Sequence, residues 1–179
     1  MGKNVLIIST SLRKSSNSDA LADTFMRGAQ EAANNVEKIS LAGKTINFCR
    51  GCLVCQKTQQ CVIKDDAVAI ANKMLHADVL VFVTPIYYYE MSGLMKTLLD
   101  RANPLFSSNY AFRDVYMLTT AADNGSNTPE RAINGLQGWI DCYGKAKLSG
   151  TVFVGGVNDV GEIRDHIGLD KAYQMGLNV

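Results

Sequence analysis

Apolar residues fall along this chain in two alternating rhythms: short continuous runs, and stretches in which they recur every three or four positions. The runs read as strands and the stretches as helices. The predicted strands are Asn4–Ser9, Val36–Leu41, Val79–Thr84, Val115–Thr120 and Thr151–Val157. The predicted helices are Ser18–Ala33, Asp66–Leu75, Ser92–Ala102, Thr128–Tyr143 and Val160–Met175. Val79–Val83 is apolar at every position, the mark of a strand covered on both faces. Val36–Leu41 alternates instead, as a strand nearer the edge of a sheet does. Asp66 opens its helix with a charge that suits the positive end of the helix dipole, and Pro129 stands in the first turn of another.

Strict alternation of strand and helix predicts an α/β fold: one doubly wound sheet of five parallel strands with helices on both faces. The right-handed crossover rule leaves few topologies, and the order 2-1-3-4-5 is expected. Residues 1–179 are read as a single domain. In such sheets ligands bind beyond the carboxyl ends of the strands, where the winding reverses. Those are the loops after the first and third strands, Thr10–Asn17 and Pro85–Ser92, and they have the most unusual composition in the chain.

The first runs Ser9-Thr10-Ser11-Leu12-Arg13-Lys14-Ser15-Ser16-Asn17-Ser18. Hydroxyls, an amide and two cations at a helix N-terminus match the acceptors of a phosphomonoester. The plainer reading is a Ser/Asn-rich connection with Asn17 or Ser18 as helix N-cap. Neither G-x-G-x-x-G nor G-x-x-x-x-G-K-[ST] follows the first strand, which disfavours a Rossmann dinucleotide site and triphosphate hydrolysis. The second loop, Thr84–Gly93, carries three adjacent tyrosines, Tyr87, Tyr88 and Tyr89. A flat aromatic loop suits a flat heterocycle such as a flavin ring.

Composition narrows the field. Net charge is +1, so no basic field attracts nucleic acid or an anionic membrane. The apolar run near the N-terminus is too short for a signal peptide and no run approaches a membrane span; a soluble cytoplasmic protein is expected. The two histidines, His76 and His166, read as surface or structural residues, and no G-x-S-x-G elbow supports hydrolase chemistry. Five cysteines without an export signal argue against a disulfide framework. Four of them form Cys49-x2-Cys52-x2-Cys55-x5-Cys61, with Gly51 able to help the chain curl. That spacing suits a [4Fe–4S] cluster or zinc, and equally a loop that holds no metal. Cys142 reads as a small buried hydrophobe beside Trp139 and Tyr143.

The first loop, taken with Pro85–Arg101 (P-I-Y-Y-Y-E-M-S-G-x-M-K-x-x-x-D-R), resembles the flavodoxin-like NAD(P)H-dependent FMN reductases. The cysteine cluster resembles the iron–sulfur flavoprotein branch of that superfamily. The resemblance implies a flavodoxin-like fold with bound FMN. Ser9, Ser11, Arg13, Ser16, Asn17 and Ser18 would then lie on the phosphate side. Pro85, Ile86, Tyr87, Tyr88, Tyr89 and Glu90 would line the isoalloxazine, and Thr120 and Ala121 would approach its opposite side. Strand one here ends in Ser9-Thr10-Ser11, a departure from the family's more usual G-S-x-R-x-x-G-N-T loop. Lys96, Asp100 and Arg101 read as solvated or helix-paired charges.

The implied activity is an oxidoreductase that passes reducing equivalents from NAD(P)H through FMN to a quinone, a flavin or a similar acceptor. The alternative is an electron carrier with a [4Fe–4S] cluster at Cys49, Cys52, Cys55 and Cys61, exchanging electrons with ferredoxin-like partners. A homodimer or larger assembly is expected from the same resemblance.

Overall fold

The structure, a computed structural model, describes residues 2–179. The strands are β1 (Asn4–Ser9), β2 (Asn35–Ser40), β3 (Val79–Tyr87), β4 (Glu90–Met91), β5 (Asp114–Thr120) and β6 (Lys147–Val154). The helices are α1 (Asn17–Glu31), α2 (Val54–Thr58), α3 (Asp66–His76), α4 (Gly93–Arg101), α5 (Glu130–Ile140) and α6 (Ile167–Leu177), with a 3-10 turn at Asn103–Ser107. The main sheet is parallel in the order β2-β1-β3-β5-β6, and β4 pairs antiparallel with the end of β3. Without that short hairpin strand, this is the expected flavodoxin-like order, with β2 at an edge.

Alternation along the central strands builds two cores. Val5, Ile7, Val79, Val81, Val83 and Leu118 point to the α1/α6 side. Leu6, Ile8, Leu80, Phe82, Val115 and Met117 point to the side covered by α3, α4 and α5. On the first side, α1 and α6 approach with backbones almost touching. A Cβ on Gly28 would lie 2.2 Å from the carbonyl oxygen of Tyr173, and one on Gly176 would lie 2.2 Å from that of Phe25. No larger residue fits either place.

Several boundaries differ from expectation, among them the end of β3, at Tyr87 rather than Thr84, and both ends of α5. β6 spans Lys147–Val154 rather than Thr151–Val157. Its first half is largely exposed and is offset by an irregularity opposite Val115 and Tyr116, so Ser149-Gly150 resembles a turn in sequence while continuing a strand. The last helix begins at Ile167, not Val160. Residues 157–166 form a loop in which Gly161 and Asp165 take positive φ values of 88° and 61°. His166 ends that loop as the N-cap of α6, its Nδ1 accepting from the Gly168 N–H at 2.9 Å. The N-cap of α1 is Ser16, one residue before the positions read from sequence. Cys142 is exposed rather than buried, because it follows the end of α5 while Ile140 and Tyr143 take the inward positions. Among the described residues no helix is long and apolar enough to cross a membrane.

Candidate functional site

Parallel pairing sets the ends of β1, β3 and β5 side by side, with Ser9 opposite Val83 and Pro85 opposite Thr120. Buried hydroxyls then tie the following loops together. Thr10 Oγ1 and Ser92 Oγ share a hydrogen bond of 2.9 Å, and the Ser92 N–H donates to Thr84 Oγ1 at 3.0 Å. Ser18 Oγ and Thr120 Oγ1 pair at 2.7 Å. Ser16 Oγ accepts from the Asp19 N–H at 3.1 Å. The Asp19 carboxylate in turn accepts from Ser9 Oγ at 2.7 Å and Ser16 Oγ at 3.0 Å. The N–H groups of Asn17 and Ser18 lie in the first turn of α1, where a helix has no internal acceptor for them.

Between these loops opens a cleft of about 130 Å³. Its lining comes from the loop after β1 (Ser11, Arg13, Ser16, Asn17 and Ser18), the end of β3 (Pro85, Ile86 and Tyr87) and the end of β5 and its loop (Thr120, Ala121 and Ala122), with Ser18 and Thr120 in contact. Four residues singled out from sequence lie outside the lining. Ser9 is buried beneath it, on Asp19. Tyr88 and Tyr89 form the two-residue turn between β3 and β4, with φ values of 50° and 65°, and Tyr88 is 98% exposed. Positive φ at two adjacent non-glycine residues is strained and matches the primed turns that join twisted hairpin strands. Glu90 accepts from its neighbour's N–H, at Met91, and faces Gly135 of α5.

The sequence reading missed one wall. Val157, Asn158 and Val160 also line the cleft, from the loop after β6. Arg13 Nη1 donates to the Asn158 carbonyl at 2.7 Å, and Asn17 Nδ2 donates to the Asp159 carbonyl at 2.9 Å. The residues that signal this loop were Gly161 and the His166-x-Gly168 cap.

The cysteine segment is arranged differently. Cys49 and Cys52 are exposed, Cys55 is buried and Cys61 is half-buried. Asn103 Nδ2 donates to Cys55 Sγ at 3.2 Å. Among the described residues no three His, Cys, Asp or Glu side chains gather as a ligand set. What fixes the segment is Arg101, read from sequence as a solvated or helix-paired charge and found fully buried. Its guanidinium makes a bidentate pair with Asp65 at 2.7 and 2.8 Å. It also donates to the carbonyls of Asn47 at 2.7 Å and Ile63 at 3.0 Å. Burial disfavours ionisation of Asp65, but hydrogen bonds from Arg101 and Asn47 outweigh it and hold the carboxyl well below the usual carboxylate range. The same pair raises the Arg101 pKa. Lys96 and Asp100, one turn apart on α4, form an exposed ion pair at 2.7 Å.

A flavodoxin-like sheet with a phosphate-suited loop and a flat-walled cleft at its switch point defines a flavin-binding class of α/β protein. Residues 3–157 match the family model of the NADPH-dependent FMN reductases, and the chain belongs to that family. It is an oxidoreductase with FMN as cofactor and a reduced nicotinamide as co-substrate. An iron-sulfur flavoprotein of Archaeoglobus fulgidus is 26% identical over 167 residues, covering 93% of this chain and 74% of that protein. One from Methanosarcina thermophila is 24% identical over 163 residues, 90% of this chain and 85% of the relative. Among solved structures, an NAD(P)H:quinone oxidoreductase from Methanothermobacter marburgensis superposes with a TM-score of 0.77 at 18% identity, covering 99% of this chain and 96% of the other. The azoreductase AzrA gives 0.72 at 18% identity, over 98% and 100% of the two chains.

The donor set of the cleft fits FMN. Hydroxyls, Arg13 and helix N–H groups match a phosphate, and Pro85, Ile86, Tyr87 and Ala121 match a ring. The four thiols, as arranged among the described residues, do not fit a [4Fe–4S] cluster.

Proposed function

We propose that residues 1–179 form one FMN-binding domain that oxidises NAD(P)H and passes the reducing equivalents to a quinone or a similar small acceptor. The observation that carries this reading is the convergence of the loops after β1, β3 and β5 on a single cleft lined by hydroxyls and Arg13 together with Pro85, Ile86 and Tyr87. When bound, FMN would supply the hydride- and electron-transfer chemistry. The chain supplies binding and orientation. Ser11 and Arg13, with the free N–H groups of Asn17 and Ser18, hold the phosphate. Pro85, Ile86 and Tyr87 support one side of the ring system, and Thr120 and Ala121 approach it from the other. No side chain has to move a proton in the transfer, which agrees with a cleft that holds no histidine or carboxylate.

The test is steady-state oxidation of NADH and NADPH by the purified holoprotein with a quinone. Turnover that scales with bound FMN supports the reading. A flavin reduced only by a ferredoxin-type protein overturns it in favour of an electron carrier. The carrier reading has one specific support, the iron-sulfur flavoprotein names of relatives that span nearly the whole chain. It requires Cys49, Cys52, Cys55 and Cys61 to regroup around a cluster. Stoichiometric iron and sulfide in protein purified without oxygen would establish it.

A further inference from the structure

The loop after β6 is built with more care than a connection needs. Asn17, only 7% exposed, spends its whole side chain on it. Nδ2 donates to the Asp159 carbonyl, and Oδ1 accepts from the N–H groups of Gly161 at 3.2 Å and Ile163 at 3.3 Å. Glu162 folds back over the same loop, its Oε2 accepting from the N–H of Asn158 at 2.6 Å and of Asp159 at 2.9 Å. Arg13 adds the bond to the Asn158 carbonyl. The far end is fixed too: the Val157 N–H donates to the Ala121 carbonyl at 2.9 Å.

These anchors give the loop a direction. It starts at the Ala121 carbonyl and reaches Arg13, and Val157, Asn158 and Val160 line the same cleft as both. A flavin that fills this cleft carries, between its ring and its phosphate, the ribityl chain, a polyol. A carboxamide, with donors and acceptors together, is well matched to hydroxyls. The Asn158 backbone is held by Arg13 and Glu162, while its Nδ2 reaches only its neighbour Asp159, at 3.1 Å.

We infer that Val157–Ile163 is a fourth wall of the FMN site, that Asn158 contacts the ribityl hydroxyls, and that Asn17 and Glu162 are positioning residues for that wall. The inference rests on the FMN cleft proposed above. It revises the role of Asn17, whose side chain holds the wall in place of the phosphate.

FMN and riboflavin share the ribityl chain and differ in the phosphate, so binding of both to flavin-free protein separates the two claims. Asn158→Ala should weaken both ligands by the same factor, about three- to tenfold for a lost hydrogen bond. Asn17→Ala should also weaken both, and should speed amide hydrogen exchange at Gly161 and Ile163. Unchanged affinity of both ligands in Asn158→Ala overturns the ribityl contact. Loss of FMN affinity alone in Asn17→Ala, with Gly161 and Ile163 still protected, overturns the positioning role and makes Asn17 a phosphate ligand. If Asn17→Ala does not fold, Glu162→Ala, which removes the acceptor for the Asn158 and Asp159 N–H groups, tests the same wall from a residue outside the cleft lining, and equal affinity to wild type for both ligands counts against it. Failure of the underlying site reading looks different: wild-type protein would then bind FMN no better than riboflavin.

Discussion

The first loop and the cysteine segment are both irregular stretches rich in ligand-type side chains, and the fold holds them in opposite ways. Residues Thr10–Ser18 are knitted to three other segments by short hydrogen bonds among side chains that are mostly buried. Residues 46–64 have an exposed face with Phe48 80% and Leu53 55% exposed, and are held by one buried guanidinium together with partly exposed bonds to Asp65, Asn103 and Ser107. A pre-organised loop presents donors without reordering, which is what tight anion binding needs. A segment with two exposed thiols and fewer buried anchors has more room to rearrange around whatever meets them. The contrast separates the part of the molecule that already has the geometry of a site from the part that has only the residues for one.

The largest effect should come from removing the buried guanidinium. Arg101→Met leaves Asp65 buried and unpaired, and should cost about 3–5 kcal/mol in chemical denaturation. Amide exchange in residues 47–63 should accelerate, with little change near Thr10–Ser18. Equal acceleration in both regions would erase the contrast.

Arg13→Ala comes next. It should weaken FMN by about 1.5–3 kcal/mol, read by calorimetry, because a charge-assisted bond is lost. Riboflavin should lose less. The same change should leave the reactivity of Cys49 and Cys52 toward a thiol reagent as it was.

A pH series tests the Arg101–Asp65 pair without removing the guanidinium. The Asp65 pKa is depressed below its ordinary value of 3.8, so its pairing stabilises the fold fully above that pH. The contribution is lost as pH falls below 3.8 toward the folded-state value. The stability gap between wild type and Asp65→Asn should therefore be constant near neutrality and shrink in acid. A gap that grows in acid would contradict the ion pair.

A smaller effect, of opposite sign, belongs to the hairpin. Replacing Tyr88-Tyr89 by Asn-Gly should raise stability by about 1 kcal/mol by relieving positive φ at both positions. The smallest is at the exposed Lys96–Asp100 pair, where Lys96→Ala should change stability by less than about 0.5 kcal/mol.

The strand order was legible because each central strand is a run of apolar residues with no competing reading, as at Val79–Val83. The first loop was legible as a candidate site because serine, arginine and asparagine cluster at a strand-to-helix turn. Arg101 was not: on a helix with Lys96 and Asp100, nothing local distinguishes a buried guanidinium from a solvated one. Its partner Asp65 lies 36 positions away. The loop after β6 was hidden because Val160, Ile163 and Ile167 mimic a helical rhythm. Gly161 and Asp165 break that rhythm through backbone conformation, and the loop's purpose depends on Asn17, which only the fold brings near. The tyrosines were recognised as exceptional, yet only Tyr87 faces the cleft, because the turn geometry sends Tyr88 and Tyr89 outward.

The central claim is that the loop Thr10–Ser18 reads a phosphate. Calorimetric titration of flavin-free protein with FMN and with riboflavin tests it most directly. Binding of FMN about a hundredfold tighter, a phosphate contribution of about 3 kcal/mol that shrinks as salt is raised, is the expected result. Equal affinity for the two flavins, indifferent to salt, would contradict it.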